Sequence, residues 1–574
     1  MTSKIELLYI YIFDFKSLKN IEIVLSNKFK KCKYDSNKNS IEFEYELDIK
    51  NSIYGNEITN IHAIVGANGV GKSTVFDFLC SLLNGDINSS SGFLIYSNSG
   101  TVFTNQINLN YSNNNFEIFF DDLLKDFKSE VDTVLINSSL DISRLQEEQI
   151  SKKYVNDLSF SQLIVNSSKK YLHFEDSSIK RLPLQDAVNY YKVLENSRII
   201  VALSWLIESE KELNLSFNFP TILNIEIVEM PKGQFTDFYH NIIGVIESKV
   251  KSFTDLDFFN SKLLLTHYFL ILENRAQSST FLSSSEIKDR LQKFLALLGN
   301  DMELNKIKKF KDLYRLMIDT LKLENVLLFR STDFWRVIRE DNLGNSVIVS
   351  KRNIRYRFDG KNQQNQFISW LLSYLGHARY ISALEVKISH AENFETSLSA
   401  GEYSLLSLLG KVFISGEQKD NILFLFDEVD INLHPEWQRK LVNILINVIQ
   451  LRFSVKNSQL IFTTHSPFIL SDIVSENVSY LDRDSSGIVY SRKPQSGVTF
   501  GANIYKMLSD SFFMKEAFIG DFAVHFIREI IEEIKHYKGK ESEKEDSIRY
   551  KINLISDDII RLTLNDMLDS KTNT

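Results

Sequence analysis

The first 150 residues run apolar, or alternate apolar with polar, in short stretches. Ile5–Phe13, Ile21–Leu25 and Ile41–Leu47 are three of them, divided by turn signals at Ser17–Asn20 and Asp35–Asn39, and this spacing predicts strands. A further apolar run, Ile61–Val65, enters a glycine-rich segment and then Val75–Leu79, giving strand, loop and helix in that order. Beyond residue 155 the period becomes helical, over Leu182–Leu194, Ile199–Leu206, Ser284–Leu298 and Leu313–Leu323. Heptads do not persist, and Asn218-Phe219-Pro220 and Gly233 interrupt them, so a compact helical lobe is predicted rather than a rod-like arm. Val347–Phe358 reads as a strand pair. Further on come a strand, Asn421–Phe426, that is apolar after its first residue, a second strand running from Ile461 toward His465, and a hairpin over Val478–Tyr490. A helical run at Ile527–Ile534, a charged stretch at His536–Asp546 that reads as a solvated loop, and an apolar run at Ile552–Leu564 complete the pattern.

The glycine-rich segment is Gly66-Ala67-Asn68-Gly69-Val70-Gly71-Lys72-Ser73-Thr74. Between a strand and a helix this is a phosphate-binding loop. Its glycines let the backbone close around a triphosphate, its N–H groups and the helix N-terminus supply positive potential, Lys72 reaches the outer phosphates, and Ser73 holds Mg²⁺. ATP and Mg²⁺ are therefore the expected ligands, with Gly66, Asn68, Gly69, Gly71, Lys72, Ser73 and Thr74 lining the nucleotide.

Three later blocks carry further chemistry. Ser399-x-x-Glu402, within Ser397-Leu398-Ser399-Ala400-Gly401-Glu402, has the form of a capping box that starts a helix. The apolar strand at 421 ends in Asp427-Glu428, two carboxylates at the edge of a sheet where ligands bind in open α/β folds. His465 follows the next strand. Phosphate loop, LSxGE-like block, Asp-Glu strand and histidine together, in this order, resemble the ABC-type ATPase head. The resemblance implies an α/β fold: a P-loop ABC-type head with an antiparallel β lobe, interrupted by a compact helical insertion. It implies Asp427 beside Ser73 as Mg²⁺ partners, Glu428 as the group polarising the attacking water, and His465 as a sensor of the γ-phosphate. It also implies Ser399, Gly401 and Glu402 acting on the nucleotide of a second copy, so that hydrolysis needs a dimer, with Asp430 near the subunit interface. Leu433-His434-Pro435 resembles the corresponding turn of SMC-like and OLD-like ATPases. Phe15–Asn20 resembles the opening of such heads, which would bring Lys16 toward the nucleotide, and Gln106 and Gln146 both stand as candidates for the family's Q-loop glutamine. The expected segments are an N-terminal ATPase lobe (1–154), a mainly helical insertion (155–390) and a C-terminal ATPase lobe with a helical tail (391–574).

Composition narrows the setting. The chain has 574 residues, 43% of them hydrophobic, enough for more than one core. Its most apolar stretch, Leu263–Leu272, is broken by Thr266 and His267, so no membrane span is expected. The absence of a signal-like N-terminus and the presence of only two cysteines point to the cytoplasm. A net charge of −8 argues against a protein that coats DNA, although Lys28–Lys33, Lys306–Lys311 and Lys351–Arg357 form local basic patches.

The tail, Phe500-Gly-Ala-Asn-Ile504, Met507–Phe513 and Phe518–Ala523, resembles the PtuA-type ATPases of Septu and retron-linked antiphage systems. That likeness implies a homodimer or higher homo-oligomer that regulates a separate HNH nuclease of the PtuB type. It leaves nucleic acid, DNA or a retron RNA/DNA product, open as a ligand of the central lobe. Two alternatives stand beside it. One is an SMC-like DNA-repair ATPase. The other is an OLD- or Gabija-like ATPase-nuclease, for which Asp482-x-Asp484 would be the metal pair.

Overall fold

Six strands are buried along most of their length, the pattern of strands covered on both faces. They are β5 (Ile58–Gly66), β10 (Val131–Asn137), β11 (Val155–Asp157), β16 (Asn421–Asp427), β17 (Asn457–Thr463) and β18 (Val478–Arg483). Together with the antiparallel edge strand β19 (Val489–Arg492) they form a seven-stranded sheet in the order β11-β10-β16-β17-β5-β18-β19. This computed structural model describes residues 4–26, 28–45, 53–111, 117–138, 154–169, 184–209, 219–276, 284–321, 346–358, 366–377, 382–390, 398–416, 418–454, 456–492, 499–504, 520–538 and 542–572, with 338, 343 and 507. Gln146, Ser397 and the tail segment 508–519 lie outside them.

A second sheet, mainly antiparallel, has the order β2-β1-β6-β7-β9, from β1 (Ile5–Phe15), β2 (Leu18–Val24), β6 (Gly92–Asn98), β7 (Thr101–Thr104) and β9 (Ile118–Phe120). Helix α1 (Lys72–Asn84) belongs to the apolar cluster that both sheets share, with Val75, Phe76, Phe78 and Leu79 beside Ile10, Leu94, Leu425 and Ile461. Side chains also tie the sheets together. Asn421 accepts the N–H of Ile5 at 2.9 Å, and Gln459 both accepts from and donates to the backbone of Leu7 at 2.8 Å. On its other face this lobe packs an aromatic layer, Tyr9, Tyr11, Phe29, Phe43 and Phe93, against the small sheet of β3 (Phe29–Asp35), β4 (Ser40–Tyr45) and β8 (Asn110–Tyr111). Each fully buried ring there is worth about 1.5–3 kcal/mol relative to leaving it in water.

Between β11 and residue 390 lie α2 (Phe160–Lys169), α3 (Leu184–Glu208), α4 (Thr236–Lys249), α5 (Asp255–Ala276), α6 (Ser284–Gly299), α7 (Phe310–Leu321) and α8 (Gln366–His377). Helices α4 to α7 close on one another around Phe235, Phe269, Phe294, Leu313 and Met317, and no long arm is built among the described residues. The region is less purely helical than its spacing suggests. β12 (Ile222–Ile227), β13 (Val347–Val349), β14 (Asn353–Arg357) and β15 (Leu384–Ser389) make an antiparallel sheet in the order β13-β14-β12-β15. The expected strand pair at 347–358 is β13 and β14, while β11, at the start of the segment expected as an insertion, joins the main sheet.

The chain divides into two compact units, Met1–Gly501 and Ala502–Thr574, so the segment expected as one C-terminal lobe separates after Gly501. The second unit folds α11 (Asp521–His536), α12 (Ser542–Asn553) and α13 (Asp558–Thr572) around Ile530, Ile534, Ile548, Ile552, Leu564 and Leu568. Of the charged stretch expected as a loop, His536 ends α11 and residues 542–546 form the first turn of α12. Its acids and bases lie on the outside of a helix whose Ile548 and Ile552 face inward, and Arg549 pairs with Glu545 one turn back at 2.8 Å. No helix of the described residues is long and apolar enough to cross a membrane.

Candidate functional site

Parallel register gathers the polar ends of the central strands. Asn137 stands opposite Asp427, and Asp427 opposite Thr463, all at the C-terminal edge where the phosphate loop leaves β5. The loop needs its glycines. Gly71 has φ of 96°, a left-handed conformation that disfavours side chains, and a Cβ there would meet Leu18 at 2.7 Å. At Gly66 a Cβ would press on the carbonyl oxygen of Leu481 at 2.3 Å, so a side chain would push β18 away.

Five sequence-predicted groups meet here. Asp427 is fully buried and accepts the Ser73 hydroxyl at 2.8 Å, the Thr463 hydroxyl at 2.5 Å and the Asn137 amide at 2.7 Å. Lys72, 5% exposed, has its ammonium 3.6 Å from Glu428 and 2.5 Å from Nε2 of His465, which also lies 3.6 Å from Glu428. Burial lowers the Lys72 pKa, and Glu428 acts against that shift. Burial, helped by the Lys72 charge, depresses His465 to about 4, so its imidazole is neutral near pH 7 and Nε2 accepts from Lys72. Glu428 adopts φ of 48°, rare for a residue with a side chain, and its N–H donates to the carbonyl and hydroxyl oxygens of Thr463. Strain of this kind persists only where surrounding bonds over-determine it, and here they aim a carboxylate at the lysine and the histidine.

The donor set suits a nucleotide with Mg²⁺. A hydroxyl and a carboxylate 2.8 Å apart are hard oxygen donors, and Mg²⁺ is commonly held by one or two protein oxygens plus substrate phosphates.

Asp430, expected beside a subunit interface, turns inward within the single chain. It is 4% exposed, one oxygen accepts the Thr464 hydroxyl at 2.9 Å, and the other is buried with no side-chain donor among the described residues. Burial pushes its pKa up to about 6. Gln438 completes the link, donating to the Asp430 carbonyl and accepting from the Ser466 hydroxyl, so the loop after Glu428 is stitched to both neighbours of His465. Because the folded-state pKa lies above the carboxylate's ordinary 3.8, the ionised side chain costs stability above about pH 6, and the cost disappears below the ordinary value. Asp430→Asn is therefore expected to stabilise the fold at pH 7.5 by roughly 2–3 kcal/mol. Melting curves should show that gain shrinking as pH falls from 6 toward 4.

Ser399 caps α9 (Ala400–Phe413) through the complete capping box with Glu402, whose carboxylate also meets His390 at 2.8 Å. These residues hydrogen-bond to one another and to His390, while Gly401 rests near the backbone of Asn432 and His434, in the turn before α10 (Pro435–Arg452). Behind α9 stands α3, where the fully buried Glu195 meets Arg198 at 2.7 Å, Lys411 at 3.8 Å and the Ser407 hydroxyl. Glu195→Ala would leave Lys411 buried and uncompensated, and is expected to cost about 3 kcal/mol in denaturant unfolding. Lys16 pairs with Asp77 of α1 at 2.8 Å, and Gln106 donates to Asn39 at 3.1 Å. The sequence reading passed over Asn137, Thr463 and Arg483, the last of which donates to the Gly69 carbonyl at 2.8 Å. Thr463 adjoins the noted histidine strand, and Asn137 ends an apolar run in the manner of Asp427, which is the one signal that marked it.

A strand, a glycine loop, a helix, and converging lysine, carboxylate and histidine define a P-loop nucleotide hydrolase with a mixed α/β fold and helical insertions. The chain belongs to the AAA ATPase domain family, which matches residues 6–470. It is similar to the Retron Vc95 probable ATPase of Vibrio cholerae serotype O1 biovar El Tor, 33% identical over 95 residues, 15% of this chain and 17% of that protein. It is also similar to the Retron Ec83 probable ATPase of Escherichia coli, 28% identical over 185 residues, 30% of this chain and 32% of that one. The Septu protein PtuA of Bacillus thuringiensis is 32% identical over 71 residues, 12% of this chain and 16% of PtuA. The matched segments thus span no more than about a third of these relatives.

Proposed function

We propose that this chain is an ABC-like ATPase that closes as a homodimer around ATP and uses the cycle to control a partner nuclease in antiphage defence. The observation that carries the reading is the convergence of Lys72, Glu428 and His465 within 3.6 Å beside the Ser73–Asp427 pair. Lys72 neutralises phosphate charge. Glu428 accepts the proton of the attacking water. His465, neutral near pH 7, reports whether a γ-phosphate is present. Asp427 and Ser73 would hold Mg²⁺, which supplies further charge neutralisation on the phosphates when bound. Ser399 and Gly401, at the N-terminus of α9, would meet the phosphates of the second copy, where helix N–H groups favour anions. Asp430, inward in the single chain, acts through Thr464 on the sensor histidine. The Septu and retron relatives support a defence role; an HNH nuclease as partner and nucleic acid on the central lobe belong to the proposal itself.

The test is to purify the full chain with and without an HNH partner encoded beside it, and to follow mass and DNA cleavage with and without ATP. An ATP-dependent dimer that co-purifies with the nuclease and gates its cleavage is the expected result. A monomer that hydrolyses ATP with no effect on any nuclease would remove both the dimer and the defence role.

A further inference from the structure

The β18–β19 hairpin carries Asp482-Arg483-Asp484, whose two acids would be the metal pair of the ATPase-nuclease alternative. Both acids are engaged inside the hairpin. Asp482 lies 3.6 Å from Arg492 and accepts the Tyr490 hydroxyl at 3.4 Å. Asp484 accepts the N–H groups of Ser486 and Ile488, each at 2.9 Å, and the Ser486 hydroxyl at 2.6 Å. Those bonds hold its carboxyl below the usual range and close the turn. The arginine between them is exposed, and among the described residues it forms no ion pair. Its Nη2 reaches the Gly69 carbonyl at 2.8 Å.

Strand pairing sets this placement. β18 runs parallel to β5 with Leu481 opposite Gly66, and Arg483, two residues further, reaches the loop at Gly69. In the sheet order β17-β5-β18 it flanks the loop on the side opposite the strand leading to His465. The charge balance of the loop gives that cation a task. On the His465 side Lys72 is opposed by three carboxylates, Glu428, Asp427 and Asp430, while a triphosphate brings several more negative charges. A guanidinium is permanently charged and has five donors, so it can keep one N–H on the Gly69 carbonyl and turn others to an anion.

We infer that Arg483 is a phosphate ligand for the nucleotide, supplied in cis by the β18–β19 hairpin. The inference deepens the ATP-site reading and rests on it. Its test measures binding of a fluorescent ATP analogue to the full chain in wild type, Arg483→Gln, Arg483→Lys and Lys72→Ala. Glutamine keeps an amide donor for the Gly69 carbonyl but removes the charge. Arg483→Gln is expected to weaken binding about tenfold, the worth of one charged hydrogen bond, with Arg483→Lys recovering part of it and nucleotide-free melting temperatures unchanged. Wild-type affinity in Arg483→Gln would overturn the inference, since a clamp on the loop is then all the arginine provides. Equal losses in both Arg483 variants, with faster hydrogen exchange of the loop amides before any nucleotide is added, would overturn it in the same way. If Lys72→Ala binds like wild type, the ATP-site reading itself falls, and the role of Arg483 falls with it.

Discussion

Glu428→Gln is expected to lower ATP turnover by about 10²–10⁴-fold, the usual worth of a positioned general base, while ATP binding persists. The variant keeps the size and hydrogen-bonding outline of the side chain and removes only its basicity and charge. The Glu428 carboxylate is 3.6 Å from both Lys72 and His465, so removing its charge leaves Lys72 more available to phosphate, and affinity should hold or rise. Backbone geometry should survive, because the Glu428 N–H bonds to Thr463 do not involve the side chain. Phosphate release over a single turnover, set against equilibrium ATP binding, separates the two effects. Turnover unchanged in this variant would mean that the base lies elsewhere. In the dimer reading the same protein should accumulate an ATP-bound dimer on a sizing column, and a persistent monomer would count against that closure while leaving the base assignment intact.

The site was legible where its chemistry is contiguous in the chain. Gly66–Thr74 and Asp427-Glu428 each carry their meaning in neighbouring residues, and the structure brings them together through the Ser73–Asp427 bond across 354 positions of sequence. Groups that act through strand register were not legible. Asn137 and Thr463 hold Asp427 only because β10, β16 and β17 align at one edge, and the polar end of an apolar run is the one local sign of Asn137. The same reason hid two strands of the central region's sheet, β12 and β15. β12 pairs with β14 and β15, more than 120 residues away, and a six-residue strand among helices has no local signature of such partners. For Asp430 the resemblance implies a place near a subunit interface, while the bond it makes within the chain, to Thr464, depends on a turn that has no mark in the neighbouring residues. Charge misled at residues 536–546, where acids and bases that suit a solvated loop equally suit the outer face of a helix. Two isoleucines one turn apart, Ile548 and Ile552, decide between them, and they come just after the charged run.

Lys72→Met is expected to abolish the thermal stabilisation that ATP gives the wild-type chain. At about a hundredfold excess over Kd a ligand that binds only the folded state adds about 2.7 kcal/mol, and the buried ammonium is the group placed to interact most strongly with phosphate. Methionine fills nearly the same volume without charge, so the comparison is not confounded by a cavity. The nucleotide-free fold should not suffer for the loss. Burial already lowers the Lys72 pKa, meaning that the folded state disfavours this charge despite Glu428 nearby, and an apolar side chain removes that cost. The expected pattern is therefore an unchanged or higher melting temperature without ATP and no shift when ATP and Mg²⁺ are added. A normal ATP-induced shift would show that the nucleotide is held without this lysine, and the assignment of the loop as the phosphate cradle would fail. A large loss of stability without ATP would instead mean that the Lys72–Glu428 pair holds the loop together, in which case Glu428→Gln should be destabilised as well.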